Sequence, residues 1–338
     1  MTKIGNIKAA VVQRVGNKSY EDGVAFSDCL CQISGVEDHL LRLINSSFKF
    51  DDWRQFCSID DMELSPTYRF VSKIFADESM LVKQANNLAR HLYEQSIHPN
   101  IKIGEFYVVL LEGCEVDGLE TNAIGLFKSE IHETVLTLKM DNNHLVLSSE
   151  IGMSLKKLEK GCIVFNMEKE TGYKVAVVDN TSSNTDAHYW EDNFLHVKDR
   201  DDDYHQTERL AELCKGFVEK VSKQSAVEGA IMAKKATEVL KSGKTLSVDD
   251  FVDVICQSDE QKKEFMVYRK EFEEKNAKLS SEVLLVKKAV NYKSVLRMNT
   301  LKIGKDFEVK VLNPNARIEQ GVDEKEMRYY KLYYMEDK

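Results

Sequence analysis

Hydrophobic and polar positions along this chain turn mainly helical in period at Tyr204 and return toward strands near Ser294. From Ile103 to Lys128, IGEFYVVLLEGCEVDGLETNAIGLFK, residues Phe106, Val108 and Leu110 alternate with Tyr107, Val109 and Leu111. All six are apolar or aromatic, which is the pattern of a strand covered on both faces. Glu115 to Asn122 carries Gly118 and no long apolar run, and Ala123 to Phe127 is a second apolar run. Two such runs joined by a short polar segment with a glycine predict an antiparallel hairpin, placed at the centre of an N-terminal sheet. Ile4 to Val15 and Gly23 to Ile33 read as opening strands. Ser34-Gly35-Val36-Glu37 has capping-box spacing ahead of Leu40, Leu41 and Ile44. Asp51 to Pro66 shows no period and reads as irregular. Asp77 is placed to cap a helix in which Leu81, Ala85, Leu88 and Leu92 form one stripe. Beyond Lys128, strand-length runs recur at Thr134 to Met140, His144 to Leu147, Gly161 to Met167 and Tyr173 to Val178. Turn signals stand at Asp141-Asn142-Asn143 and Thr171-Gly172, and Asp179 to Asp186 is a polar loop.

From Tyr204 the spacing becomes helical. Leu210, Leu213, Phe217 and Val221 share one face, with Glu208, Glu212, Glu219 and Lys223 largely away from it. Ala226 to Leu240 is a second, Ala-rich helix. Ser247-Val248-Asp249-Asp250 and Ser258-Asp259-Glu260-Gln261 each read as a helix start. Strand character returns at Leu296 to Ile303, Phe307 to Leu312 and Arg328 to Tyr334. The expected fold class is α+β: an N-terminal mixed or antiparallel sheet with helices, then a helical segment and C-terminal strands. The expected division is a sheet-rich α+β domain over 1–200, followed by 201–338 with the helices, the C-terminal strands and a basic stretch.

The length of 338 residues suits two domains, and 43% hydrophobic with 30% charged residues marks an ordered globular chain. No run approaches the roughly 18 apolar residues of a membrane span, and the N-terminus lacks the apolar core of a signal peptide. Seven cysteines, an odd number with no C-x-x-C pair, read as reduced thiols of a cytoplasmic protein.

Charge changes this picture more than composition does. The net charge is −9, yet Met1 to Tyr204 holds 21 basic and 33 acidic residues, whereas His205 to Lys338 holds 26 and 23. Within the latter, Lys275 to Lys310 holds nine basic residues and three acidic ones. An acidic body with one basic stretch argues against a general nucleic-acid coat and is compatible with a polyanion bound on one face.

Candidate catalytic chemistry does not assemble. Ser242-Gly243-Lys244-Thr245 has the end of a phosphate-binding loop, but Glu238 stands where its first glycine is required and a helix leads in. A helix C-terminal glycine followed by a new cap explains it better. Asp199, Asp201, Asp202 and Asp203 could hold a hard cation. Tyr204 and Leu210 stand where a calcium loop needs glycine and glutamate, so a solvated helix N-terminus explains them better. Glu308-x-Lys310 on a strand lacks the upstream carboxylate that a metal-dependent nuclease needs. His91 and His98 flank a helix end, and His188 and His205 are placed in polar loops. No cofactor is expected. Lys287, Lys288, Lys293, Arg297 and Lys302, joined by Lys275, Lys278 and Lys305, form the functional signal that remains. Such residues neutralise phosphates without reading bases. Tyr292 could stack or pack beside them, and Lys234 and Lys235 could extend the surface.

The order of features resembles the 37-kDa nucleoid-associated proteins of bacteria. The resemblance is carried by Gly104-Glu105-Phe106, the strand Ala123 to Phe127, Gly161-Cys162-Ile163-Val164 and Phe194-Leu195 leading into the Leu210–Phe217 helix. The terminal strands Asn299 to Val311 and Tyr329 to Tyr333 complete it, and the acidic run Asp199–Asp203 departs from it. The resemblance implies a cytoplasmic, nucleoid-localised, non-enzymatic protein that binds double-stranded DNA with little sequence preference. It supplies no catalytic residues. Two other classes stay open: an adaptor subunit of a DNA-processing or phage-defence complex that docks through its acidic half, and a cryptic nuclease. The reading leaves room for a homo-oligomer.

Overall fold

The hairpin at the middle of the N-terminal sequence is also the middle of a sheet. The computed structural model describes residues 2–57, 62–141, 144–180, 189–290 and 297–334. The chain divides into two units, Met1–Arg200 and Asp201–Lys338.

The first unit contains β1 (Thr2–Lys3), β2 (Asn6–Val15), β3 (Val24–Ala25), α1 (Glu37–Ser47), β4 (Trp53–Phe56), α2 (Pro66–Ala76) and α3 (Leu81–Gln95). These lead to β5 (Gly104–Val116), β6 (Leu119–Ser129), β7 (His132–Asp141), β8 (His144–Met153), β9 (Lys160–Phe165), β10 (Lys174–Asp179) and β11 (Val197–Asp199). The main sheet runs β11-β4-β10-β9-β6-β5-β2-β3, with β1 also on β5, and every neighbouring pair is antiparallel. The β5–β6 turn is tighter than the sequence suggests. Asp117 and Gly118 alone turn the chain, at φ 53° and 84°. Asp-Gly suits that two-residue geometry because both positions need positive φ.

Helices cover both faces of this sheet, which is why β5 lacks polar alternation. On one face Leu110, Leu126, Cys162 and Val164 meet Val71 and Ile74 of α2 and the Leu81, Ala85, Leu88, Leu92 stripe of α3. On the other face Val109, Leu111, Phe127 and Ile163 meet Leu43 and Ile44 of α1, together with Phe48. Each buried leucine contributes about 1.5–3 kcal/mol through removal from water.

One rung of the sheet is charged and buried. The β6–β9 register sets Lys128 against Lys160, and the β9–β10 register sets Lys160 against Asp179. Paired residues share a face, so all three are on the face of Leu126 and Cys162, the one that packs against α2 and α3. Lys128 is 0% and Lys160 2% exposed. Lys160 Nζ lies 2.7 Å from Asp179, and Lys128 Nζ lies 2.9 Å from Glu130 and donates to Lys102 O at 3.0 Å. The Tyr189 ring lies 4.9 Å from one ammonium and 6.0 Å from the other. Burial pulls the Lys128 ammonium below the usual lysine range, with Glu130 opposing the shift, and burial pushes the Glu159 carboxyl up.

Four local expectations are corrected. Of Gly23 to Ile33 only Val24–Ala25 is a strand; beyond it a single bond, Cys31 N to Ala10 O, ties the segment to β2, and Phe26 and Leu30 are exposed. Ser34 does not cap α1, which starts one turn's edge later at Glu37, whose own carboxylate accepts from Gly35 N. Asp51 to Pro66 is not irregular throughout, since it contains β4. There Trp53 and Phe56 are buried with two half-buried residues between, so the alternation that marks a strand is missing. His205 is not in a loop: it is buried in the first turn of a helix, with Nδ1 2.9 Å from Asp202. Residues 142 and 143 of the expected turn and 181–186 of the expected loop lie outside the described residues, as does His188.

The second unit contains α4 (Asp203–Gln224), α5 (Ala226–Leu240), β12 (Thr245–Ser247), α6 (Val248–Ile255), α7 (Asp259–Glu273) and β13 (Glu282–Leu284). Two hairpins end it, β14 (Thr300–Ile303) with β15 (Phe307–Lys310), and β16 (Arg317–Val322) with β17 (Arg328–Tyr333). Leu210, Leu213, Phe217 and Val221 of α4 form its core with Phe251 and Ile255 of α6 and Phe265 of α7. Ser225, Ser247 and Ser258 cap α5, α6 and α7 through their side chains. Each cap contributes about 1 kcal/mol. Cys214 and Cys256 are packing residues of this core, and burial pushes their thiols up to about 12 and about 11. Among the described residues all seven cysteines are free. No helix is long and apolar enough to cross a membrane, among the described residues.

Candidate nucleic-acid interface

The basic stretch owes its exposure to the apolar residues threaded through it. After α7, Leu279, Val283, Leu285, Ala289 and Val290 are buried, and the lysines between them are left at the surface. Thr207 of α4 fastens this segment from beneath. Its hydroxyl accepts from Val286 N at 3.0 Å and lies 3.2 Å from Leu284 O, while donating to Asp203 O within α4 at 2.7 Å. The short 3₁₀ turn Lys287–Ala289 follows, with both lysines exposed.

The β12–β13 ladder brings a second segment beside Lys287. Leu246 pairs with Val283, and Leu285 N donates to Lys244 O at 3.1 Å. A Cβ on Gly243 would meet Lys287 Cε at 3.1 Å and Nζ at 3.9 Å, so the Lys287 side chain lies along the turn that ends α5. Gly243 has φ +69°, the left-handed conformation expected of a helix C-terminal glycine. Lys244 therefore joins the basic surface from outside Lys275–Lys310. Nothing local in Ser242-Gly243-Lys244-Thr245 signals this; the ladder across about forty residues creates it.

A second group stands on the β14–β15 hairpin. Leu301 is buried and Val309 half-buried against Val227 and Ala230 of α5. Alternation sends Thr300, Lys302, Glu308 and Lys310 to the opposite face, with Lys302 directly across from Glu308 and Thr300 from Lys310. Glu308-x-Lys310 is thus part of a cross-strand charge pattern. Lys305 is in the tight turn beside Gly304, whose φ is +65°. Arg297 opens the 3₁₀ turn Arg297–Asn299. Lys293 and Tyr292 lie outside the described residues. Lys234, named as an extension of the surface, is paired with Glu238 at 3.1 Å.

Partnering separates these cations from many others in the chain. Lys8 is paired with Glu78, Lys18 with Glu94, Lys174 with Asp117, Arg200 with Glu168 and Lys262 with Asp253. Lys244, Lys275, Lys278, Lys287, Lys302, Lys305 and Lys310 are exposed and have no ion pair among the described residues. The acidic run is engaged locally. Asp202 caps α4 by accepting from His205 N, Asp201 holds Gln206 and Arg209, and Asp199 pairs with Arg54 at 2.9 Å. Among the described residues no three His, Cys, Asp or Glu side chains are placed to hold a metal ion.

The model of a protein family described as nucleoid-associated protein YejK matches residues 11–322 of the chain. No curated protein matches it significantly.

Proposed function

Because the chain belongs to this nucleoid-associated family, we propose that it is a cytoplasmic, nucleoid-localised protein that binds duplex DNA with little sequence preference and without catalysis. In support, Lys244, Lys287 and Lys302 are exposed cations with no carboxylate partner among the described residues, in a chain whose first 204 residues are strongly acidic. The contact residues of this reading are Lys287, Lys288, Lys293, Arg297 and Lys302, with Lys244 added. Lysine ammonium groups at a surface release counterions from phosphates and act as point charges, so affinity rises without sequence readout.

A titration of duplex DNA at several salt concentrations tests this. If about four cations meet phosphates, log K falls against log salt with a slope near −3.6. Between ~50 and ~200 mM salt that slope costs roughly 100-fold in affinity. The duplex is expected back intact from mixtures containing Mg²⁺. Binding that is absent, or indifferent to salt, would remove the DNA reading and put the adaptor reading first. Nicking of the duplex that is lost in Glu308→Gln would put the nuclease reading first.

A further inference from the structure

β7 and β8 pair with each other and with no other strand among the described residues. Their register sorts the side chains into two unlike faces. One face is mainly polar: Thr137 and Ser148 share a hydrogen bond at 2.8 Å, Lys139 pairs with Glu150 at 2.8 Å, and Val135 and Val146 are its apolar members. The other carries Leu136, Leu138, Met140, Leu145, Leu147 and Ile151, each between 62% and 77% exposed. Thr134 and Ser149 are the polar residues among them, and no charged group interrupts the patch.

A two-stranded ribbon is marginal in water on its own, and an apolar patch of this extent marks a contact surface. A fully exposed aliphatic residue presents roughly 180 Å², so the six side chains offer on the order of 700 Å², close to the ~800 Å² that each partner buries in a standard interface. The face is uncharged, so a charged partner finds no complement. An identical face matches it in size and polarity, as a two-fold interface requires. We propose that two copies of this chain associate through this face, with the two hairpins stacked into a four-stranded β-sandwich about 10 Å thick. The polar faces then point outward on both sides, where the Lys139–Glu150 pair already meets water.

Sedimentation equilibrium of the full chain reads this out directly. The parent is expected at the mass of two chains. Leu138 and Leu147 are directly opposed at the centre of the face, so Leu138→Glu/Leu147→Glu is expected at the mass of one chain, with dissociation strengthened at least about 100-fold. Val146→Glu places a carboxylate on the polar face opposite Lys139 and is expected to stay dimeric. Hydrogen exchange on the parent keeps the test independent of how the variant folds. The amides of β7 and β8 are expected to be protected at about 50 μM and to lose that protection at about 0.5 μM, by mass action. A parent at the mass of one chain, a dimer that survives the double substitution, or protection that ignores concentration would each overturn the proposal. A parent that stays single yet sediments with lipid vesicles or with another protein would assign the face to that partner instead.

Discussion

Asp179→Ala is expected to destabilise the first unit by about 3–5 kcal/mol, the loss that follows removal of one partner from a buried ion pair. Lys160 is 2% exposed and its ammonium is 2.7 Å from Asp179. With the carboxylate gone, a buried ammonium loses its 2.7 Å ion-pair partner while Lys128 stays on the same rung. Tryptophan fluorescence reports the outcome cleanly, because Trp53 and Trp190 are the chain's two tryptophans and both are buried in this unit. With an m-value of about 2 kcal/mol per molar urea, the midpoint should fall by roughly 1.5–2.5 M. Replacing both partners, Lys160→Met/Asp179→Leu, should recover most of that loss, since an apolar pair carries no stranded charge. An Asp179→Ala midpoint within about 0.3 M of the parent would show that water reaches Lys160 after all.

The second large effect is on DNA. Lys287→Glu/Lys288→Glu/Lys302→Glu is expected to weaken duplex binding roughly 100- to 1,000-fold at ~0.1 M salt, because each phosphate contact contributes about 0.9 decades there. The salt slope should flatten from near −3.6 toward about −0.9. The loss should be alike for unrelated duplex sequences, because phosphate contacts carry no base readout. Lys262→Glu is the matching control, since that lysine is already spent on Asp253 at 2.8 Å. If the triple variant binds like the parent at every salt concentration, these lysines are only a solvated face. Competition between unrelated duplexes that favours one of them strongly would instead point to base contacts elsewhere.

The sequence made some elements plain because one period governed them. α5 runs from Ala226 to Leu240 as its composition suggests, and the serines before α6 and α7 cap them. The exposure of Lys287, Lys288 and Lys302 follows from their buried neighbours Leu285, Ala289 and Leu301. Other features lie between segments and leave no local trace. β4 hides in four residues with no alternation, and α2 announces itself only through Pro66 at its first position. The Thr134–Met140 run looks like a half-buried strand, yet its apolar face is uncovered. Alternation reports which residues share a face, not whether anything lies against it. The place of Lys244 on the basic surface has no local mark for a related reason, since only strand pairing sets it beside Lys287.

The charged rung also decides which alignment of strands the chain can adopt. Every residue of β9 is buried, and β6 is buried from Ala123 to Ser129. Strands apolar on both faces tolerate a one-residue slip, because either alignment hides oily side chains. A slip of β9 that put Lys160 in the place of Gly161 would drive an ammonium-bearing chain to the other face. There even a methyl group meets Phe48 Cζ at 2.8 Å and Val178 Cγ1 at 2.9 Å. It would also part Lys160 from Asp179. The rung thus trades stability for uniqueness, by making the misaligned sheet costlier than the native one. In Lys160→Met/Asp179→Leu that penalty is gone while the burial remains. Its amide resonances along β9 are expected to double, the mark of two slipped alignments in exchange, whereas the parent gives one set; a single set in the variant would mean that the helices alone hold the strand in place.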